Sequence, residues 1–230
     1  MNRVLILIAF SFFGLFSNKK AEAQDWPNLS RYEKENETLK LDTNQENRVI
    51  FMGNSITEGW STANPNFFDN KSHINRGIGG QTTPQMLLRF SQDVISLKPA
   101  VVHILAGTND IAENTGPISL EQIRDNILSM VQLAKANGIE PIVCSVLPAY
   151  DYPWRPGKNP NIKIPKLNAM LAKMASENGV TYLDYFSEMA DSRNGLPEKY
   201  TTDEVHLTKE GYKVMEDVFQ TVMKGVLSKQ

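Results

Sequence analysis

The stretch Arg48–Trp60, RVIFMGNSITEGW, decides the fold. Its first half, Arg48 to Met52, is a short apolar run with β-branched members, the pattern of a strand buried on both faces. Gly53 and Asn54 punctuate it, and Ser55 falls where the chain turns at the strand's carboxyl end. In an open parallel α/β sheet that edge is where ligands bind. A serine after a strand is more often only the cap of the next helix, and a short motif alone does not separate the two roles. The later strand ends do, because each supplies Ser55 with a chemical partner.

Upstream, Gln24–Glu46 is polar, with Trp26 and Tyr32 as isolated anchors and Ser30–Lys40 as a helix on the domain's edge. Downstream, Ser61–Lys71 reads as a loop, His73–Arg76 as a second strand, and Gly77-Ile78-Gly79-Gly80 as a glycine-rich turn. Pro84 suits the first turn of a helix reaching about Val94. Ala100–Leu105 is a third strand, ended by Gly107-Thr108-Asn109-Asp110. Ser119 and Gln122 form a capping box; Leu120, Ile123, Ile127, Met130, Val131 and Ala134 then trace one helical face, which Gly138 stops. Ile142–Val146 is a fourth strand, and Leu167, Met170, Leu171 and Met174 mark a helix closed by Gly179. Val180–Leu183 is a fifth strand, and Thr208 caps a last helix with Met215, Val218, Phe219, Val222 and Val226 on one side. Strand and helix alternate throughout, which predicts an α/β fold, a five-stranded parallel sheet covered on both faces.

The chain has 230 residues, 41% of them hydrophobic, enough for one domain with a substantial core. Residues 1–23 read as a signal peptide: Arg3 is the positive start, Val4–Phe16 the apolar run, and Ala21-Glu22-Ala23 a cleavage site before Gln24. That run is shorter than the ~20 residues a membrane span needs. Export to the periplasm or beyond is therefore expected, without stable membrane anchoring, leaving 24–230 as a single domain. No cysteine near the cleavage site offers a point for lipid attachment. Nothing in the formal net charge of −2 suggests nucleic acid, which would need a basic patch. Cys144 is the sole cysteine, so no intrachain disulfide forms, and within Ile142–Val146 it reads as a buried small hydrophobe.

Each strand end carries something chemical. Ser55 follows the first, Gly79-Gly80 the second, Asn109 the third, and Asp203-Glu204-Val205-His206 lies in the long loop after the fifth. Ester hydrolysis needs a nucleophile, a base to take its proton and a group to orient that base. It also needs fixed donors for the tetrahedral oxyanion. Ser55, His206 and Asp203 are candidates for the first three roles. The N–H groups of Ser55 and Gly80 and the Asn109 amide are candidates for the fourth.

In order and spacing, GNSITEG, NRGIGGQTT, LAGTND and DEVH resemble the blocks of the SGNH (GDSL-like) hydrolase superfamily, its platelet-activating-factor acetylhydrolase-like and carbohydrate acetylesterase branch included. The resemblance implies a three-layer α/β/α, flavodoxin-like fold and metal-independent hydrolysis of esters or thioesters. It puts the nucleophile on Ser55, oxyanion donors on Gly80 and Asn109, and the acid and base on Asp203 and His206. Two positions depart from the pattern. Asn54 replaces the aspartate of the GDSL name, and Gln81 stands where close relatives often carry aspartate. Neither position has a catalytic role in the family.

Rival motifs fail on spacing. Thr57 replaces the second glycine of a G-x-S-x-G elbow, and Thr82 the last glycine of a dinucleotide fingerprint. His73, His103 and His206 show no metal-ligand spacing, so neither metal nor cofactor is expected. Asp184, at the end of the fifth strand, is an alternative acid to Asp203, and Asp110 reads as a loop-bracing carboxylate. The loop Leu147–Ile162 should border the site, and Tyr150, Tyr152, Trp154 and Arg155 suit a sugar or a leaving group as well as they suit packing the loop. Trp154 and Arg155 are taken as substrate-binding candidates. The expected substrate is a small-molecule or glycan acetyl ester. Longer acyl esters or thioesters are the alternative, and a non-catalytic carbohydrate binder a more distant one.

Overall fold

The computed structural model describes residues 24–41, 47–69 and 72–227. Strands β1 (Val49–Gly53), β2 (His73–Gly77), β3 (Val101–Leu105), β4 (Glu140–Cys144) and β5 (Thr181–Leu183) form an all-parallel sheet in the order β2-β1-β3-β4-β5. The order reverses between β1 and β3, which opens a crevice at their carboxyl ends. Gly53 is in register with both Gly77 and Leu105. The loops carrying Ser55, Gly79-Gly80 and Asn109 therefore leave the sheet at one height.

The helices are α1 (Glu33–Leu41), α2 (Ser55–Ala63), α3 (Pro65–Phe68), α4 (Thr83–Asp93), α5 (Thr108–Ile111), α6 (Leu120–Ala136), α7 (Pro160–Glu177), α8 (Phe186–Met189) and α9 (Lys209–Leu227). Side chains alternate across a strand, so β1 feeds two cores. Ile50 and Met52 join Val102, Ile104 and Val143 under α4, α6 and α7. Val49 and Phe51 join Val101, Leu105 and Ile142 under α2 and α9. The result is the three-layer α/β/α arrangement. In the second core the Phe51 ring centroid lies 5.0–5.5 Å from those of Trp60, Phe67, Phe68, His73, His103 and Phe219.

Several boundaries differ from the sequence reading, each for a physical reason. Ser61–Lys71 is not simply a loop: α2 continues to Ala63 and Pro65 opens α3. Phe67 stacks on Trp60 with centroids 4.8 Å apart, so burial orders a stretch whose local propensity is poor. Strand β4 starts at Glu140, two residues before the apolar run. Pro141 is tolerated there because β5 pairs only from Ile142 onward, leaving no carbonyl in need of the missing N–H. Helix α7 starts at Pro160 and so shortens the loop after β4. Its internal Pro165 frees the Asn161 carbonyl, which accepts instead from Asn194 Nδ2 at 3.1 Å. The Ser119–Gln122 capping box forms, with bonds of 3.2 and 3.0 Å.

The expected signal peptide lies outside the described residues. Among those described, no helix is long and apolar enough to cross a membrane. Cys144 is buried, and burial pushes its thiol pKa well up, which makes it inert.

Candidate active site

The turn from β1 into α2 separates the two readings of Ser55. Asn54 is the N-cap: its Oδ1 accepts from the Ile56 N–H at 3.1 Å. The Ser55 hydroxyl is thus released from capping and lies 3.0 Å from His206 Nε2. On the other side of the ring, His206 Nδ1 is 2.6 Å from Asp203 Oδ2. A proton held on Nδ1 and donated to Asp203 leaves Nε2 free to accept from Ser55.

Asp203 also builds the loop that carries His206. Its Oδ1 accepts from the His206 N–H at 2.6 Å and from the Val205 N–H at 3.0 Å. Thr201 Oγ1 donates to the His206 carbonyl at 2.7 Å and pins the loop's far side. Partial burial pushes the Asp203 pKa up, but the bonds from the His206 ring and from the His206 and Val205 N–H groups outweigh it. The carboxyl titrates below its ordinary value. Asp184, the alternative acid, is spent on α8, where it accepts from Ser187 N at 3.1 Å and Ser187 Oγ at 2.6 Å.

The glycine-rich turn after β2 packs against this group. A Cβ on Gly77 would sit 2.1 Å from the backbone nitrogen of Glu58, so only glycine lets α2 approach β2 this closely. A Cβ on Gly79 would sit 3.8 Å from Ser55 Cβ, which places the turn beside the hydroxyl. Gly80 has φ +75°, a left-handed conformation that glycine adopts without strain. The backbone N–H groups of Ser55 and Gly80 make no hydrogen bond among the described residues. Asn109, buried at the start of α5, spends one amide N–H on the Gln81 carbonyl at 3.0 Å and keeps the other.

Beneath the turn lies a buried polar network that sequence reading missed. Arg89 on α4 is fully buried and donates to Gln81 Oε1 (2.6 Å), Asp93 Oδ2 (2.9 Å) and the carbonyls of Gly53 (3.0 Å) and Arg76 (2.9 Å). One guanidinium thereby ties the ends of β1 and β2 to the residue that follows Gly80. Asn36 of α1 extends the network, donating to Asp93 Oδ1 at 2.7 Å and accepting from Arg76 Nε at 2.9 Å. Burial lowers the Arg89 pKa, and the bond to Asp93 opposes this. Removing the guanidinium strands a buried carboxylate, so Arg89→Ala is expected to cost about 3–5 kcal/mol in urea unfolding. Only the i,i+4 spacing of Arg89 and Asp93 on α4 could have signalled this network, and such spacing is common on solvated helices.

Around the rim, Trp154 is half-exposed, with its ring centroid 6.2 Å from that of His206. Its Nε1–H donates to Asn114 Oδ1 at 3.1 Å. Tyr152 is fully buried instead of facing the site, its hydroxyl 2.9 Å from Thr108 Oγ1. Arg155 is exposed and its side chain forms no hydrogen bond among the described residues. Asp110 is buried and braces α4 through Thr83 N (2.9 and 3.1 Å) and Thr83 Oγ1 (2.6 Å). Burial outweighs these bonds and raises its pKa to about 6. His103 lies in the second core, 2.8 Å from the Tyr185 hydroxyl, and burial lowers its pKa to about 3. Among the described residues, no group of three or more His, Cys, Asp or Glu could hold a metal ion.

Known proteins share this fold. A proposed acylhydrolase from Bacteroides fragilis NCTC 9343 is 48% identical, with a TM-score of 0.85 over 89% of this chain and 100% of its own. A GDSL-like lipase from Bacteroides thetaiotaomicron VPI-5482 is 44% identical, with a TM-score of 0.83 over 87% of this chain and 99% of its own. The lipoprotein YqeF of Bacillus subtilis strain 168 is 38% identical over 78 residues. That match spans 33% of this chain and 32% of YqeF, about a third of the curated relative's length. The GDSL-like Lipase/Acylhydrolase family matches residues 51–214, from the middle of β1 into α9. With most of its sheet and all four chemical strand ends inside that match, the chain belongs to the GDSL-like lipase/acylhydrolase family.

Proposed function

We propose that this protein is an exported serine esterase that removes short acyl groups, acetyl above all, from carbohydrates. The observation that carries the reading is the unbroken line from Asp203 Oδ2 through the His206 ring to Ser55 Oγ, with contacts of 2.6 and 3.0 Å. In this reading Ser55 Oγ bonds to the ester carbonyl carbon while its proton passes to His206 Nε2. The carbonyl oxygen takes the electron pair, and the N–H groups of Ser55 and Gly80 with the Asn109 amide receive its charge. His206 returns the proton to the departing alkoxide as the C–O bond breaks, leaving an acyl-Ser55. Water, deprotonated by His206, then releases the acid and restores the serine. Asp203 holds the tautomer and offsets the imidazolium charge in both halves.

Support for a sugar-like leaving group comes from the rim. The half-exposed Trp154 offers an indole face beside the base that must protonate the alkoxide. Arg155 lies one residue further on and is the weaker of the two binding candidates.

A panel of p-nitrophenyl esters from acetate to palmitate, followed by acetylated glycans, tests the reading. The highest kcat/KM is expected for acetate. A rate that climbs with acyl length would move the function to lipid or thioester substrates, and no turnover of any ester would leave a binding protein. Asn109→Ala is expected to lower kcat by about 10²–10³ with little change in KM, because its donor acts on charge that develops in the transition state. A raised KM at constant kcat would make Asn109 a ground-state binding group instead.

A further inference from the structure

A groove of about 500 Å³ runs alongside the Gly79-Gly80 turn, within the range of small-ligand sites. One wall is the amino-terminal segment that precedes α1, and three glutamines clamp this wall to the body of the protein. Gln85 Nε2 donates to the Trp26 carbonyl at 2.8 Å, Gln81 Nε2 to the Pro27 carbonyl at 2.8 Å, and Gln92 Nε2 to the Leu29 carbonyl at 2.5 Å. Asp25 stiffens the same segment by accepting from the N–H groups of Leu29 (2.8 Å) and Ser30 (3.0 Å). Trp26 is thus fixed through its backbone, lines the groove and, as a residue, stays 41% exposed. The opposite wall is Asn114 and Thr115. Asn114 joins this groove to the catalytic rim, since its Nδ2 donates to the Gly80 carbonyl at 3.2 Å and its Oδ1 accepts from Trp154. The groove therefore begins at the turn that lies beside Ser55.

We propose that this groove is a second sugar subsite, which takes the unit next to the acylated one in an oligosaccharide, with Trp26 as its stacking platform. The inference rests on the esterase reading above and extends it to substrate length. The lining chooses among ligand chemistries. Among the described residues no Lys or Arg lines the groove, and the nearby Arg31 is paired with Glu58 at 3.4 Å, so a phosphate headgroup finds no cation there. Of the lining side chains among the described residues only Trp26 and Ile78 are large and apolar, and Ile78 is buried, so an acyl chain finds no channel in them. What remains is an indole with amide and hydroxyl groups around it, and the Asp25 carboxylate, whose two oxygens already accept from Leu29 and Ser30. That combination suits an uncharged ring with an apolar face and a hydroxyl edge.

The experiment compares kcat/KM on p-nitrophenyl acetate and on acetylated xylo- and chito-oligosaccharides from one to four units. It is run for the wild type, Trp26→Ala and Trp26→Phe, each checked for folding by circular dichroism. The wild type is expected to gain about tenfold in kcat/KM between one and two units, the scale of one aromatic platform. Trp26→Ala is expected to lose that gain through KM, and Trp26→Phe to recover most of it. A wild type that cleaves acetylated sugars with no gain in length, or a Trp26→Ala enzyme that keeps the gain, overturns the subsite and leaves the esterase reading standing. Cleavage of p-nitrophenyl acetate with no turnover of any acetylated sugar overturns the carbohydrate reading and the subsite together.

Discussion

Ser55→Ala is expected to lower kcat on p-nitrophenyl acetate by about 10⁶, the scale at which losing one member of a catalytic unit equals losing the unit. The size follows from the division of labour in the β1–α2 turn. Asn54 caps the helix, so the Ser55 hydroxyl contributes little to folding and its loss is felt almost wholly in chemistry. The melting temperature should stay within about 2–4 °C of the wild type, since under 1 kcal/mol is at stake in a chain of this size. Residual turnover would come from the oxyanion donors and from binding. Near-normal activity in the purified variant would remove Ser55 from the mechanism.

The second large effect is expected at Asp203. Asp203→Asn should reduce kcat by about 10⁴, because an amide facing Nδ1 favours the wrong tautomer of the base. The carboxylate makes four bonds within its own loop, so the variant also loosens the segment that carries His206. Its hydrogen bonds set the sign of the pH effect. Asp203 titrates below its unfolded value, so its contribution to stability is present above the ordinary carboxylate range and is lost as pH falls through the lowered pKa. That acid-limb dependence should shrink in Asp203→Asn. Asp184→Asn, by contrast, weakens only the start of α8 and should leave kcat within about twofold. Exchange of these two outcomes would transfer the acid role to Asp184.

The sheet was legible in the sequence because its strands are buried on both faces and read as unbroken apolar runs between turn residues. VIFMG and VVHIL announce themselves in this way, and the alternation with helices leaves a parallel sheet as the economical solution. The Ser55, Gly80 and Asn109 segments stood out because each follows a strand end, and Asp203–His206, in the loop well beyond the fifth strand, because the order and spacing match a family pattern. Besides the buried Arg89 network, three features were hidden. Phe67 and Phe68 sit in a proline- and asparagine-rich stretch whose helix exists only because Trp60 and Phe51 cover it. Tyr152 looks like a surface aromatic in sequence, yet its hydroxyl finds Thr108 inside the fold, and a linear chain does not disclose such a partner. The glutamine clamp on Trp26 joins residues more than fifty positions apart, and glutamine carries no local signal of that kind.

The account turns on Ser55 being the nucleophile that His206 activates, and covalent labelling measures this most directly. The purified protein is treated with a fluorophosphonate and digested, and the modified peptide is located by mass spectrometry, with His206→Gln handled in parallel. The account predicts a single adduct on Ser55 in the wild type and labelling slowed by orders of magnitude in His206→Gln. An adduct on another serine, or equal labelling rates in the two proteins, would contradict it.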